Sequence, residues 1–187
     1  MPKLIPILYL SIIVLIIGCN PNENIKKLNE NNILKAKQIP LEDFFKNPEK
    51  SSYKISPNGD YYSFMAPYNN RMNIFIQKRG DTNSIQLTYE KDRDVAGYFW
   101  PNDNQIMFLK DDGGDENYHL YGVGIDGSNL IPYTDFKGVR AQIIDDLPDQ
   151  DEFVIIGLNK RNKQVFDPYR LNLSTGELKM IAENPGN

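Results

Sequence analysis

From residue 39 onward, short apolar runs rich in Tyr, Phe, Ile and Val alternate with clusters of Gly, Pro, Asn and Asp. A single helical turn is predicted over residues 41–46. Beyond it, no window keeps the 3.6-residue apolar period of a helix over a helical length. Short apolar runs between turn-forming residues are typical of β-strands. The pattern therefore predicts a chain built from many short strands.

The turns between these runs recur at a nearly fixed distance. One set is marked by prolines that lie 44 and 47 residues apart, at Pro57, Pro101 and Pro148. A second set is marked by glycines that lie 47 and 49 residues apart, at Gly80, Gly127 and Gly176. Pro fixes φ early in a turn and Gly supplies a positive φ, so each period contains one turn marked by proline and one marked by glycine. Each period also contains four apolar runs, as in a blade of a β-propeller.

We therefore predict an all-β fold, a partial β-propeller with about three four-stranded blades in an open ring. The propeller part is placed at residues 39–187, with blades at about 53–89, 95–134 and 139–182. A β-sandwich also has short strands and turns, but the doubled periodicity favours the propeller. Closed propellers have about 4–8 blades, so we expect this chain to require further blades or a partner.

The first 38 residues predict a targeting signal followed by a polar tether. After Lys3 comes an uncharged stretch from Leu4 to Ile17, followed by Gly18 and Cys19. The stretch is short for a membrane span and suits a signal peptide, and Gly-Cys resembles the bacterial lipobox. We predict a signal helix at 1–18, lipid attachment at Cys19 and a polar tether at 19–38. This predicts a lipid-anchored protein of the bacterial cell envelope, at a periplasmic or outer-membrane face.

Two alternatives stay open for this segment. It could be an anchor helix that is not cleaved, or an ordinary signal with a chance Cys. The tether could form a weak helix.

Composition excludes several classes of protein. The formal net charge is −4, with 21 basic and 25 acidic residues, so the chain has no basic field to hold nucleic acid. It has one Cys and one His, which excludes a disulfide framework and a Cys/His zinc site built by this chain alone. We predict no cofactor and no metal.

Several motifs together resemble a known enzyme family. They are the opening segment Ile39–Phe45 with Asn47-Pro48-Glu49, the turn Ser56–Gly59, the acidic stretch Asp111–Tyr121 and the ending Asn184–Asn187. These resemble the prolyl oligopeptidase family of serine peptidases, in its dipeptidyl-peptidase and acylaminoacyl-peptidase branches. The resemblance covers residues 39–187.

The resemblance implies a propeller of seven or eight blades followed by an α/β-hydrolase domain with a Ser-Asp-His triad. In that family the propeller restricts the access of peptides. This chain contains no Gly-x-Ser-x-Gly nucleophile elbow, so we assign it no catalytic residue. The expected partners are the missing blades, the hydrolase domain, short peptides as substrate, and the membrane. The alternative is a non-enzymatic TolB-like lipoprotein that binds a protein or a glycan in the envelope.

The acidic loop 111–117 is the main candidate site. Asp115 and Glu116 are candidates for contact with a neighbouring domain or a substrate amine. A polar hairpin and a calcium site are the other interpretations, although Gly113 stands where the usual calcium loop has a ligand. His119 is interpreted as a strand residue that donates one hydrogen bond, and Trp100 as a core residue. Four further carboxylates are interpreted as solvated turn residues: Asp145, Asp146, Asp149 and Asp151.

Overall fold

The computed structural model describes residues 38–186, and within them the backbone is almost entirely β. One short helix, α1 (Leu41–Phe45), belongs to an N-terminal unit, residues 1–45. All strands lie in the second unit, residues 46–187. They are β1 (Ser51–Ile55), β2 (Tyr61–Tyr68), β3 (Arg71–Lys78), β4 (Ser84–Gln86), β5 (Gly97–Asn102), β6 (Gln105–Lys110), β7 (His119–Gly124), β8 (Ile131–Pro132), β9 (Ala141–Asp145), β10 (Phe153–Leu158), β11 (Asp167–Asn172) and β12 (Leu178–Met180).

The strands form three four-stranded antiparallel sheets, each in sequential order. Blade 1 is β1–β4, blade 2 is β5–β8 and blade 3 is β9–β12. Each strand pairs with the next along the chain, which short turns make possible. This confirms the prediction of an all-β, open partial propeller with three four-stranded blades. The predicted helical turn is α1.

Strand alternation builds two cores, one between each pair of blades. In β6, Ile106 and Phe108 pack towards blade 1, while Met107 between them packs towards blade 3. Successive side chains of a strand point to opposite faces, so a strand buried on both faces is a continuous apolar run. Burying one such side chain contributes about 1.5–3 kcal/mol, so blade 2 stabilises both of its neighbours.

Polar contacts also join the blades. The indole N–H of Trp100 in blade 2 donates to Ser63 Oγ in blade 1 at 2.8 Å, and both residues are buried. This places Trp100 in the core, as predicted. At the proline turns, the backbone N–H of Asn58 donates to Asp103 at 2.8 Å, and Asn102 donates to the carbonyl of Asp151 at 3.0 Å. The recurrent turns therefore link each blade to the next.

The loop that carries Asp115 and Glu116 lies at the same end of the blades as the connections from one blade to the next. Because consecutive strands are antiparallel, the loops between second and third strands lie at the same end as the connections between blades. We call this the acidic end and define it by residues 87–96, 111–118 and 133–140. The prolines of the repeated turns lie at the opposite end.

Candidate functional site

Each blade has one buried polar residue at or near the start of its third strand, and this residue fixes the chain that leads to the next blade. These residues are Asn73, His119 and Asp167, and all three are buried. Their hydrogen bonds each reach a residue that lies beyond the fourth strand of the same blade. We call the three residues the clamp residues.

The three clamp residues use different chemistry. The Asn73 carboxamide accepts from the backbone N–H of Glu90 at 2.7 Å and donates to the Glu90 carbonyl at 2.9 Å. Asp167 accepts from the backbone N–H of Asn184 at 2.8 Å, and from Arg161 at 3.0 and 2.9 Å. The pKa of Asp167 is lowered by the Arg161 hydrogen bonds and by the backbone N–H of Asn184.

His119 is 8% exposed, and its ring Nδ1 lies 2.6 Å from the carbonyl oxygen of Thr134. A carbonyl oxygen only accepts, so Nδ1 carries the proton and donates. In the neutral ring, Nε2 is then a hydrogen-bond acceptor. His119 is therefore a strand residue that donates one hydrogen bond, as the sequence predicted.

A threonine completes the clamp in the first two blades. Thr88 Oγ1 accepts from the Ile74 backbone N–H at 2.8 Å, and Thr134 Oγ1 accepts from the Leu120 N–H at 2.7 Å.

Blade 3 lacks this threonine contact. Pro168 occupies the position that corresponds to Ile74 and Leu120, and it has no backbone N–H to donate. Ala182 occupies the position that corresponds to Thr88 and Thr134, and it has no hydroxyl to accept. The hydrogen-bond donor and its acceptor are therefore both absent from blade 3.

A cavity of about 290 Å³ opens at the acidic end, near the clamp residue of blade 2. Two ion pairs are formed by residues that line it. The Lys110 ammonium lies 2.9 Å from Glu90, and the Arg93 guanidinium lies 3.2 Å from the buried Asp111. The pKa of Arg93 is raised by its hydrogen bond and charge interaction with Asp111. The Lys110 ammonium also lies 4.8 Å from the centre of the Tyr121 ring.

The two predicted contact residues stand beside this cavity, outside its lining. The Asp115 carboxylate accepts from the backbone N–H of Asn117 at 3.0 Å and from its side chain at 2.9 Å, and these bonds lower the pKa of Asp115. Glu116 has a positive φ of 57°, and its backbone N–H donates to Asp111 at 3.3 Å. Asp115 thus holds the loop together, whereas the Glu116 side chain is exposed and has no hydrogen bond within residues 38–186.

The other sequence candidates do not assemble into a site. Asp145 accepts from the backbone N–H of Leu147 at 2.9 Å, as a turn residue does. Within residues 38–186, no group of three His, Cys, Asp or Glu side chains could hold a metal ion.

No helix in the same range is long and apolar enough to cross a membrane. The predicted signal, Cys19 and nearly all of the tether lie outside the described residues.

Sequence reasoning did not identify the clamp. The signal was available, because Asn73, His119 and Asp167 lie 46 and 48 residues apart, close to the spacing of the turns. Because the three blades have different residue types at this position, a comparison of the repeats by residue identity does not reveal it. The matched loss of donor at Pro168 and of acceptor at Ala182 was equally readable from the sequence.

Comparison with known proteins agrees with the propeller. The chain is 29% identical over 148 residues to dipeptidyl aminopeptidase BIII of Pseudoxanthomonas mexicana, which covers 78% of this chain. It is also 29% identical over 155 residues to dipeptidyl peptidase family member 6 of Caenorhabditis elegans, again over 78% of this chain. Its homologues are dipeptidyl aminopeptidases. The matched regions are 22% and 21% of those proteins, so the chain spans about a fifth of their length.

Solved structures support the fold. A TolB protein from Agrobacterium tumefaciens superposes with a TM-score of 0.53 at 16% identity, over 73% of this chain and 50% of that one. An acylaminoacyl peptidase superposes with a TM-score of 0.51 at 11% identity, over 74% of this chain and 26% of that one. No protein-family model matches the chain.

Proposed function

We propose that the chain is the N-terminal propeller portion of a membrane-attached serine peptidase of the prolyl oligopeptidase family, with the catalytic hydrolase domain supplied from outside these 187 residues. The observation that carries the proposal is the 29% identity to dipeptidyl aminopeptidase BIII over 148 residues, which is 78% of this chain. In this proposal the propeller limits access to short peptides, and the missing domain transfers the acyl group to a serine.

The first test is to read the coding DNA beyond Asn187 and to express the complete reading frame. We expect further blades, then a Gly-x-Ser-x-Gly motif followed by Asp and His. The product should release dipeptides from chromogenic dipeptidyl substrates and react with a fluorophosphonate probe. The 187-residue chain is the matched control and should stay unlabelled. A stop codon directly after Asn187, or labelling of the 187-residue chain, would contradict the proposal.

A non-enzymatic binding protein is the second candidate. It is favoured by the TolB protein, which superposes on this chain at a TM-score of 0.53. A complete reading frame with further blades and no nucleophile elbow would favour this candidate over the peptidase.

Membrane attachment is proposed through a lipid on Cys19. It is supported by the charged start, the uncharged stretch and the Gly18-Cys19 pair. The test is metabolic labelling with an alkyne fatty acid in a bacterial host, followed by fractionation. Cys19→Ser should abolish the label and release the protein from the membrane, while Ser11→Ala in the same signal should leave both unchanged. Label that persists in Cys19→Ser would refute lipid attachment at this position.

Within the peptidase proposal, Glu116 is the better of the two predicted contact residues, because the Asp115 carboxylate is already bound by Asn117. We expect Glu116→Gln in the full-length protein to raise KM for a substrate with a free amino terminus by about tenfold, the usual effect of losing one charge-assisted hydrogen bond. Glu152→Gln, an exposed carboxylate at the opposite end, is the control. An unchanged KM in Glu116→Gln would leave this carboxylate without a role in binding substrate.

A further inference from the structure

Blade 3 differs from the other two blades on the sheet face that points onward along the chain, which we call the forward face. In blade 1 this face buries Ile74 and Ile76 against blade 2, and in blade 2 it buries Met107 and Leu120 against blade 3. All four side chains are fully buried. The contacts between consecutive blades are therefore built on apolar forward faces.

Strand register identifies the forward face of blade 3. Ile156 and Leu171 pack towards blade 2, and side chains alternate along a strand, so Ile155 and Arg170 point the other way. These two residues are cross-strand partners, and Arg170 is in turn the partner of Lys179 in β12. The centre of this face therefore carries two cationic side chains, and both are exposed.

The same positions in the other blades are uncharged. Arg170 lies three residues after its clamp residue, and the same place is Ile76 in blade 1 and Gly122 in blade 2. The residues that pair there in place of Lys179 are both isoleucine: Ile85 and Ile131. An apolar blade on this face would take two cations out of water without a partner, which is strongly unfavourable.

Arg170 is positioned with its hydrogen-bond donors free. Its guanidinium carbon lies 3.6 Å from the centre of the Phe153 ring, a favourable contact that orients the guanidinium plane. Within residues 38–186, Arg170 and Lys179 form no hydrogen bond and no ion pair. The planar fork of N–H donors matches the two oxygens of a carboxylate.

The remainder of the forward face is also polar. A cavity of about 270 Å³ beside Arg170 is lined by Phe153, Asn172, Glu177 and Lys179. Glu177 is the one carboxylate of this lining, so the two cations leave one positive charge in excess. A second cavity, of about 660 Å³, lies towards the acidic end, and four of its lining residues carry side-chain amides: Gln142, Asn162, Gln164 and Asn184.

We propose that the forward face of blade 3 binds a further blade that presents a carboxylate to Arg170. The occupant is a blade because this face continues the stack that joins blades 1, 2 and 3, and the excess positive charge requires an aspartate or a glutamate on it. The inference rests on the proposed function only in requiring blades beyond residue 187, and it needs no hydrolase domain.

The test compares Arg170→Leu in the 187-residue chain with the same change in the product of the complete reading frame. Leucine gives blade 3 the apolar character that Ile76 has in blade 1. In the 187-residue chain Arg170 is exposed, and we expect an unchanged Tm. In the complete protein Tm should fall by about 4 °C or more, because the opposing carboxylate is left buried without a partner. Arg170→Lys keeps the charge and should lose less.

Arg79→Leu in the complete protein is the matched control. It removes an exposed cation at the turn after β3 and should leave Tm unchanged. An unchanged or raised Tm of Arg170→Leu in the complete protein would overturn the proposal, because the surface on blade 3 would then be absent or apolar. Activity and probe labelling test the peptidase separately, so a lowered Tm in a protein without a nucleophile elbow would refute the peptidase and support this interface. A reading frame that ends at Asn187 would overturn both.

Discussion

Thr134→Val tests the clamp of blade 2 at a single atom. Thr134 is 1% exposed, and its Oγ1 accepts from the Leu120 backbone N–H at 2.7 Å. Valine has nearly the same shape, so the change removes the acceptor and leaves a buried N–H without a partner. Such a group costs about 1–3 kcal/mol. For a chain of this size, each 1 kcal/mol lowers Tm by roughly 2–4 °C.

The other two blades provide matched comparisons. Thr88→Val in blade 1 should cost more than Thr134→Val, because the Thr88 hydroxyl also donates to Asn73 at 2.9 Å. Ala182→Thr in blade 3 restores the hydroxyl, but Pro168 offers it no N–H. We therefore expect this variant to stay within about 0.5 kcal/mol of the parent.

The assay combines urea unfolding with amide hydrogen exchange. Trp100 is the single tryptophan of the chain and is buried between blades 1 and 2, so its fluorescence reports the loss of that interface. Exchange of the Leu120 amide should accelerate in Thr134→Val. Our reasoning would be refuted by a stability of Thr134→Val equal to the parent with Leu120 exchange unchanged, or by a stabilised Ala182→Thr.

Three further predictions concern other contacts. A Cβ at Gly122 would lie 2.7 Å from a ring carbon of the buried Tyr133 and would also clash with Gln105 Nε2, so Gly122→Ala should lower stability by about 1–3 kcal/mol in urea unfolding, whereas Gly97→Ala, with nothing within 4 Å, should stay near the parent. Ser63→Ala should cost about 1–3 kcal/mol, because it leaves the buried indole N–H of Trp100 unpaired; an unchanged urea midpoint would contradict this. The lowered pKa of Asp167 contributes stability above the unfolded-state pKa of about 3.9, and this is lost as pH falls through that value towards the lower folded pKa. Asp167→Asn should therefore weaken the acid dependence of Tm, and an identical pH profile would refute the contribution of Asp167.

The fold was largely predictable because it rests on local signals. The prolines and glycines of the turns restrict or permit particular φ angles, so these residue types alone indicate the turns. Continuous apolar runs such as Ile106–Phe108 indicate strands buried on both faces. These signals predicted three blades of four strands, which the structure contains. They could not give strand ends, and β8 is only Ile131–Pro132 although the apolar run is longer.

The candidate site was less predictable because it depends on pairs that are distant along the chain. Loop 111–117 was found by its composition, but the cavity beside it also needs residues 90–93 and Asp135. The sequence context of His119 correctly predicted a strand residue that donates one hydrogen bond. It could not show that His119 lines a cavity, because that depends on residues 90–93 and Asp135, which are distant along the chain.

The clamp limits what can be exchanged between the repeats of this chain. A consensus blade designed by majority vote would take threonine at the position of Thr88 and Thr134, and would find no majority among Asn73, His119 and Asp167. The Asp167 carboxylate also accepts a hydrogen bond from Arg161, six residues earlier in the chain, and a consensus sequence would not retain this arginine. Recombination between blades should therefore succeed only when the third strand, the loop before it and the segment after the fourth strand move as one cassette.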